Sequence, residues 1–192
     1  MDTRNLQSWL SFLCSPAVTE ASCGVIAPLT PEQAAGFIGA MVVETGSPDL
    51  SDLDVVEAGC GAGRGAMQYT GVRRGPYDKA RSEAIARGLD PNSAGCQQLY
   101  FAEEYAGLHD PPEGSLIGWT DVFALCPVEL TPEQAAVYWT GSAEAAQGYF
   151  RPGRPHSERR QDDAARIWAL IEDGTLCVPQ GPPAARLALH VS

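Results

Sequence analysis

Residues 34–46 read AAGFIGAMVVETG, residues 47–57 SPDLSDLDVVE and residues 58–70 AGCGAGRGAMQYT. The first block has the start and stop signals of a helix on either side of it. Thr30 is a good N-cap, Pro31 fits the first helical position, and Gln33 stands three residues past Thr30 as in a capping box. Gly46 suits the residue after the last turn, and Pro48 prevents continuation. A helix over Pro31–Thr45 follows, with Phe37, Met41 and Glu44 on one face because four and three residues separate them. Glu44 therefore falls in the last turn, among the packing residues, where unpaired carbonyls carry partial negative charge. Both burial and that helix end are expected to favour the protonated acid. Such an acid is what a glycosidase needs to protonate the leaving oxygen of a glycosidic bond. The commonplace alternative is a solvent-facing Glu on a frayed turn.

The next two blocks supply a second carboxylate and a glycine-rich turn. Glu57 directly precedes the turn, and Asp52 and Asp54 on the same spacer are alternatives to it; all three also fit a solvated acidic loop. The run DVVEAGCGAG has a second interpretation, a short strand followed by the G-x-G-x-G loop of a Rossmann-like methyltransferase. That loop requires a second apolar strand ending in an acidic residue about 20 positions on. The sequence there is YTGVRRGPYDKARSEAIARG, which is not a strand.

Outside this stretch the chain reads as helical. LTPEQAA occurs at Leu29–Ala35 and again at Leu130–Ala136, but the sequences then diverge, which makes them two similar helix starts and no duplication. Helix-like patterns cover Pro76–Leu89, Gly95–Leu108, Ser115–Cys126 and Ser157–Asp173, and beta-branched runs of strand length are scarce. Near the N-terminus Leu6, Trp9, Leu10 and Leu13 form the apolar stripe of an amphipathic helix, and Asp2, Gln7 and Ser8 make a poor secretory signal. No stretch has the uninterrupted apolar length of a membrane span. The fold class expected is mainly α, a helical bundle with a small β-hairpin at about 52–69. Its parts are an N-terminal helical extension (1–28) packed on the domain, a central domain (29–173) and a C-terminal tail (174–192).

Charge and side-chain chemistry narrow the function. A net charge of -11 argues against nucleic acid, because phosphate binding draws on Lys and Arg. One base precedes Arg64, six fall between Arg64 and Arg87, and five between Arg151 and Arg166. The six cysteines contain no C-x-x-C, so buried thiols are expected, with Cys14 to Cys23 the favoured bridge in an oxidising compartment. His109, His156 and His190 have no paired ligand spacing; no metal and no cofactor is expected. Trp119, Trp139 and Trp168 are most simply core residues.

Helix-terminal Glu44 in FIGAMVVETG, followed by GRGAMQYTG, resembles the lysozyme superfamily pattern of catalytic Glu, hairpin and Gly-x-x-Gln segment, with a local similarity to family 19 chitinases and endolysins. QQLYFAEEY at Gln97–Tyr105, the second LTPEQAA and YFRPGRPHSERRQDDAARIW at Tyr149–Trp168 extend the resemblance, in order, to the phage tail lysozyme family, from about Leu29 to Ile171. One departure is Arg-Gly-Ala-Met-Gln-Tyr where tail lysozymes carry Tyr-Gly-Leu-x-Gln-Trp. The resemblance implies a lysozyme-like α+β fold and cleavage of a β-1,4 bond in peptidoglycan. Glu44 would be the acid, Glu57 the second carboxylate, and Gln68, Tyr69 and Thr70 the lining of the sugar groove. It implies peptidoglycan glycan strands as substrate and other tail or baseplate proteins as partners. The place of action would be a virion tail, opening the bacterial cell wall. A catalytically inactive tail or baseplate module, and a lytic transglycosylase or chitinase-type glycosidase, are the alternatives.

Overall fold

The start and stop signals around residues 30–48 act as read. In the computed structural model, which describes residues 2–24, 26–57, 63–105, 109 and 157–180, a helix runs from Pro31 to Thr45. The Thr30 hydroxyl accepts from the Gln33 amide at 3.3 Å and the Gln33 side chain accepts from the Thr30 amide at 3.1 Å, closing the capping box. Gly46 ends the helix in the left-handed region at φ 66°, a conformation that costs glycine no Cβ clash.

Six α-helices are present among the described residues: α1 (Arg4–Leu13), α2 (Pro16–Ala21), α3 (Pro31–Thr45), α4 (Arg74–Ala86), α5 (Ala94–Tyr105) and α6 (Ser157–Glu172), with a 3-10 turn at Gly71–Arg73 leading into α4. The fold is mainly helical, and no described helix is long and apolar enough to cross a membrane. The second LTPEQAA and the helix expected over Ser115–Cys126 lie outside the described residues, as do Trp119, Trp139 and the Arg151 and Arg154 positions.

Helix α3 is central. Every residue from Gln33 to Val42 is buried, the state expected of a helix apolar on all faces. Against one side lies α1, whose Leu6, Trp9, Leu10 and Leu13 are wholly buried. Phe101 of α5 bridges the two: its ring stands edge-on to Trp9 at 5.7 Å and to Phe37 at 5.8 Å, the arrangement aromatic quadrupoles prefer. On another side α6 approaches so closely that a Cβ on Gly39 would sit 2.5 Å from the Ala164 nitrogen and 3.0 Å from the Arg160 carbonyl oxygen. Only glycine allows that backbone-to-backbone contact.

The segment after α6 returns to α1. Leu176 is buried, and the Gln7 side chain pairs with Cys177 twice, accepting from its amide and donating to its carbonyl, each at 2.8 Å. Residues 1–28 and the start of the 174–192 tail thus share one core with α3.

Among the described residues the expected β-hairpin at about 52–69 is not formed as strands, and residues 58–62 lie outside them. Among the described residues there are two isolated antiparallel bridges, Val56 with Arg64 and Arg64 with Tyr69. Arg64 and Tyr69 exchange both backbone hydrogen bonds, at 3.2 and 2.8 Å, around a tight turn. Gly65 and Gln68 in that turn have φ of 85° and 44°, and left-handed residues so close together interrupt a pleated ladder. A Cβ on Gly65 would lie 2.7 Å from the Tyr77 ring, so the turn is pressed flat against α4.

Candidate functional site

Glu44 projects from the last turn of α3 with its side chain 13% exposed, and its Oε1 accepts a hydrogen bond from the Arg160 guanidinium NH2. Arg160 is on α6, 116 residues away, and is itself buried at 7% exposure. Among the described residues no donor reaches Glu44 Oε2. One oxygen of the carboxylate is therefore anchored to α6.

The remaining expected site residues are held by other neighbours. Glu57 is exposed; its amide donates to the Gly63 carbonyl at 3.0 Å and its Oε2 accepts from the Gly63 amide at 3.2 Å. Gln68 is buried and donates its side-chain amide to the Val55 and Gly65 carbonyls at 3.3 and 3.4 Å, bracing the turn from inside. Tyr69 is fully buried, stacked on Tyr77 at 4.7 Å and edge-on to Tyr100 at 4.7 Å, with the Arg73 guanidinium over its ring at 4.8 Å. Burial, and then the nearby Glu104 carboxylate, hold its phenol well above the ordinary range. Thr70 is exposed and precedes the 3-10 turn. Glu44 is thus tied to α6, while Gln68 and Tyr69 turn inward and Glu57 and Thr70 outward from the segment between residues 55 and 71.

The two alternative acids differ sharply. Asp52 is exposed. Asp54 is the centre of a polar network, its side chain 9% exposed. It accepts from Arg64 through both oxygens at 2.9 Å, from Arg81 at 2.7 Å and from the Tyr77 hydroxyl at 2.8 Å. Burial alone would push its carboxyl up, but the bonds from Arg64, Arg81 and Tyr77 together outweigh that and hold it below the ordinary value. Tyr77 passes the network to Gln97 at 2.6 Å, and Gln97 accepts from the Ala66 amide at 3.0 Å. From the other side Asn92 accepts from the Leu53 and Asp54 amides at 2.5 and 2.9 Å. With its acceptor positions filled this way, Asp54 locks the turn onto α4 and α5.

The same contacts account for much of the base-rich stretch that follows the turn. Arg64 and Arg81 pair with Asp54, Arg73 with Glu104 through two bonds of 2.6 and 2.7 Å, and Arg74 with Asp78. Four of the six bases between Arg64 and Arg87 are thereby paired within the fold, with three carboxylates.

No family model matches this chain, and neither the curated proteins nor the solved structures gave a match.

Among the described residues no group of His, Cys, Asp and Glu is arranged to hold a metal ion. A groove of about 140 Å³ between α4 and α5 is lined by Tyr77, Arg81, Leu89, Gln97, Tyr100 and His109 among others, and Glu44 is not part of it. His109 stacks on Tyr100 at 4.5 Å and meets Glu103 at 2.7 Å at its rim. The described cysteines Cys14, Cys23, Cys96 and Cys177 are free thiols, so Cys14 and Cys23 are not bridged; burial, with a smaller contribution from Glu32, pushes Cys14 up to about 12.

Arg160 is the residue that sequence reasoning passed over. It stands in the Arg-rich start of α6, SERRQDDAARIW, next to Arg159, which is exposed. One signal separates the two: four residues after Arg160 comes Ala164, then Ile167, the small and apolar positions of the packed face.

Proposed function

We propose that this protein is a lysozyme-like glycan hydrolase that cleaves a β-1,4 bond in peptidoglycan, with Glu44 as the general acid. The observation that carries this reading is the setting of Glu44. It is a carboxyl group at the end of a buried helix, mostly sheltered from water, with one oxygen held by a buried guanidinium. In this scheme Glu44 is the group that donates a proton to the glycosidic oxygen as the bond to the anomeric carbon breaks. Glu57, exposed beside the turn, is the carboxylate that would support the oxocarbenium-like transition state or hold a water. A carboxylate separation of about 5 Å goes with retention and one of about 6.5–9.5 Å with inversion. The expected setting is a virion tail or baseplate that opens the cell wall locally.

Digestion of purified peptidoglycan tests the reading. Wild type should release soluble fragments and Glu44→Gln should not. Mass analysis of the fragments distinguishes new reducing ends, the hydrolase product, from the anhydro ends of a lytic transglycosylase, and parallel incubation with chitin tests the chitinase alternative. No release by folded wild type removes the enzymatic reading.

A second reading has its own support. The Glu44–Arg160 pair ties α3 to α6 and gives Glu44 a structural task that needs no chemistry. A tail or baseplate module with a lysozyme-like fold and no activity would keep the pair for that reason. In that case Glu44→Gln lowers the unfolding midpoint and peptidoglycan stays intact with either protein.

A further inference from the structure

Arg64 stands where the ties of the turn cross. Its backbone bridges Val56 on one side and Tyr69 on the other, exchanging both hydrogen bonds with Tyr69 at 3.2 and 2.8 Å. Its side chain, 22% exposed, reaches diagonally past Val56 to Asp54 and meets both carboxylate oxygens at 2.9 Å. Diagonal neighbours on paired segments lie within reach of long side chains. Asp54 is fixed in turn from outside: Arg81 and the Tyr77 hydroxyl, both on α4, donate to its carboxylate at 2.7 and 2.8 Å, and Asn92 accepts from its amide at 2.9 Å. Glu57 is held at the other end of the same ties. It follows Val56 directly; its amide donates to the Gly63 carbonyl at 3.0 Å and its Oε2 accepts from the Gly63 amide at 3.2 Å. Gly63 precedes Arg64 and is seated directly on Gln68, whose side chain a Cβ there would overlap. A lone pair of short segments is marginal by itself, and the Arg64–Asp54 fork is what joins this one to the body of the fold.

We propose that Arg64, clamped by Asp54, is a positioning residue for Glu57 and fixes where that carboxylate stands against the glycan. This rests on the reading of Glu57 as the second carboxylate of the proposed glycosidase. Arg64 touches no substrate in this scheme and acts through its bridge to Val56 and through the Gly63 peptide. A guanidinium suits the task because it is planar and its donors are fixed in direction, whereas a lysine ammonium is a point charge on a flexible stem. Without the fork, Asp54 keeps Arg81 and Tyr77 and stays on α4, while the Glu57 end loses its side-chain anchor. Displacement of a reacting group by about 1 Å can cost on the order of 100-fold in rate.

The test is steady-state kinetics on soluble peptidoglycan fragments with the full chain. It compares wild type, Arg64→Met, Arg64→Lys, Glu57→Gln and the variant carrying both Glu57→Gln and Arg64→Met, each checked for folding by circular dichroism. Arg64→Met is expected to lower kcat by about 10- to 100-fold with KM within about twofold, and Arg64→Lys to recover part of that loss. Glu57→Gln should lose about 100-fold. The double variant should be no slower than Glu57→Gln alone, because residues that act as one unit are not additive. An arginine that merely stabilises the fold would give wild-type kcat per folded molecule, or a loss that multiplies with that of Glu57→Gln. Either result overturns the positioning role and leaves Glu57 as the second carboxylate. Wild-type kcat in Glu57→Gln removes Glu57 from the reaction and the positioning role with it, and inactive wild type overturns the glycosidase reading as a whole. If Arg64→Met does not fold, Arg64→Lys, alone and combined with Glu57→Gln, carries the same comparison.

Discussion

The α3–α6 pair and the turn between residues 52 and 73 are held together by different means. Where α3 meets α6, packing comes first: an all-buried helix, a glycine that lets backbones touch, and one charged contact, Glu44–Arg160, at the edge. Around the turn, polar contacts are added to packing: Asp54 accepts four bonds from three side chains, and Asn92, Gln97 and Gln68 each satisfy backbone groups that no strand ladder among the described residues satisfies. The segment buries Leu53, Ala66, Met67 and Tyr69, but its described residues form only isolated bridges, so directional bonds are added to packing there. Each region should then fail differently when disturbed.

The largest stability effect is expected at the polar centre. Asp54→Ala leaves two guanidinium groups and a buried phenol facing an apolar site, and should cost roughly 3 kcal/mol, read from urea unfolding midpoints. Next comes the packed pair. Gly39→Ala should destabilise by about 1–3 kcal/mol through overpacking, despite alanine's better helix propensity. A stabilised Gly39→Ala protein would mean that α6 yields easily and that the closeness is incidental. Smaller again is Thr30→Ala, which removes the capping box of α3 and should cost about 1 kcal/mol.

Acid separates the two regions further. The carboxyl of Asp54 titrates below its ordinary value in the fold, so its contribution is complete above the unfolded value of about 4 and is lost as pH falls through the lower folded value. The gap in stability between wild type and Asp54→Asn should therefore be widest near pH 7 and shrink below about pH 4, whereas the gap between wild type and Thr30→Ala should stay nearly constant. A constant Asp54→Asn gap at pH 3 would show that its network does not depend on the ionised carboxylate. The smallest effect is chemical. With its thiol pushed up to about 12 by burial, Cys14 should resist alkylation at pH 8 until the protein unfolds, while exposed Cys23 and Cys177 react. Early modification of Cys14 would show that the α1 end opens readily.

The same contrast explains what the sequence made legible. Helix α3 was readable to the residue because its cap, proline and glycine signals are local, and the Leu6, Trp9, Leu10 and Leu13 stripe of α1 is a matter of period alone. Likewise α6 ends within a residue of the expected boundary. The links that organise the candidate site are distant ones: Arg64, Tyr77 and Arg81 meet Asp54 across 10 to 27 residues, and Arg160 meets Glu44 across 116. No period or cap encodes such a partner. For the same reason the burial of Tyr69 between Tyr77 and Tyr100 is not legible from its place beside the turn, and Asp54, one of three acids on a polar spacer, differs from Asp52 only once α4 is packed beside it.

The central claim concerns Glu44, and it is tested most directly by counting new reducing ends released from purified peptidoglycan by wild type and Glu44→Gln at equal concentrations of folded protein. The account predicts steady release by wild type and a loss of about 100-fold or more in Glu44→Gln, the range of a removed general acid. Equal release by the two proteins would contradict it.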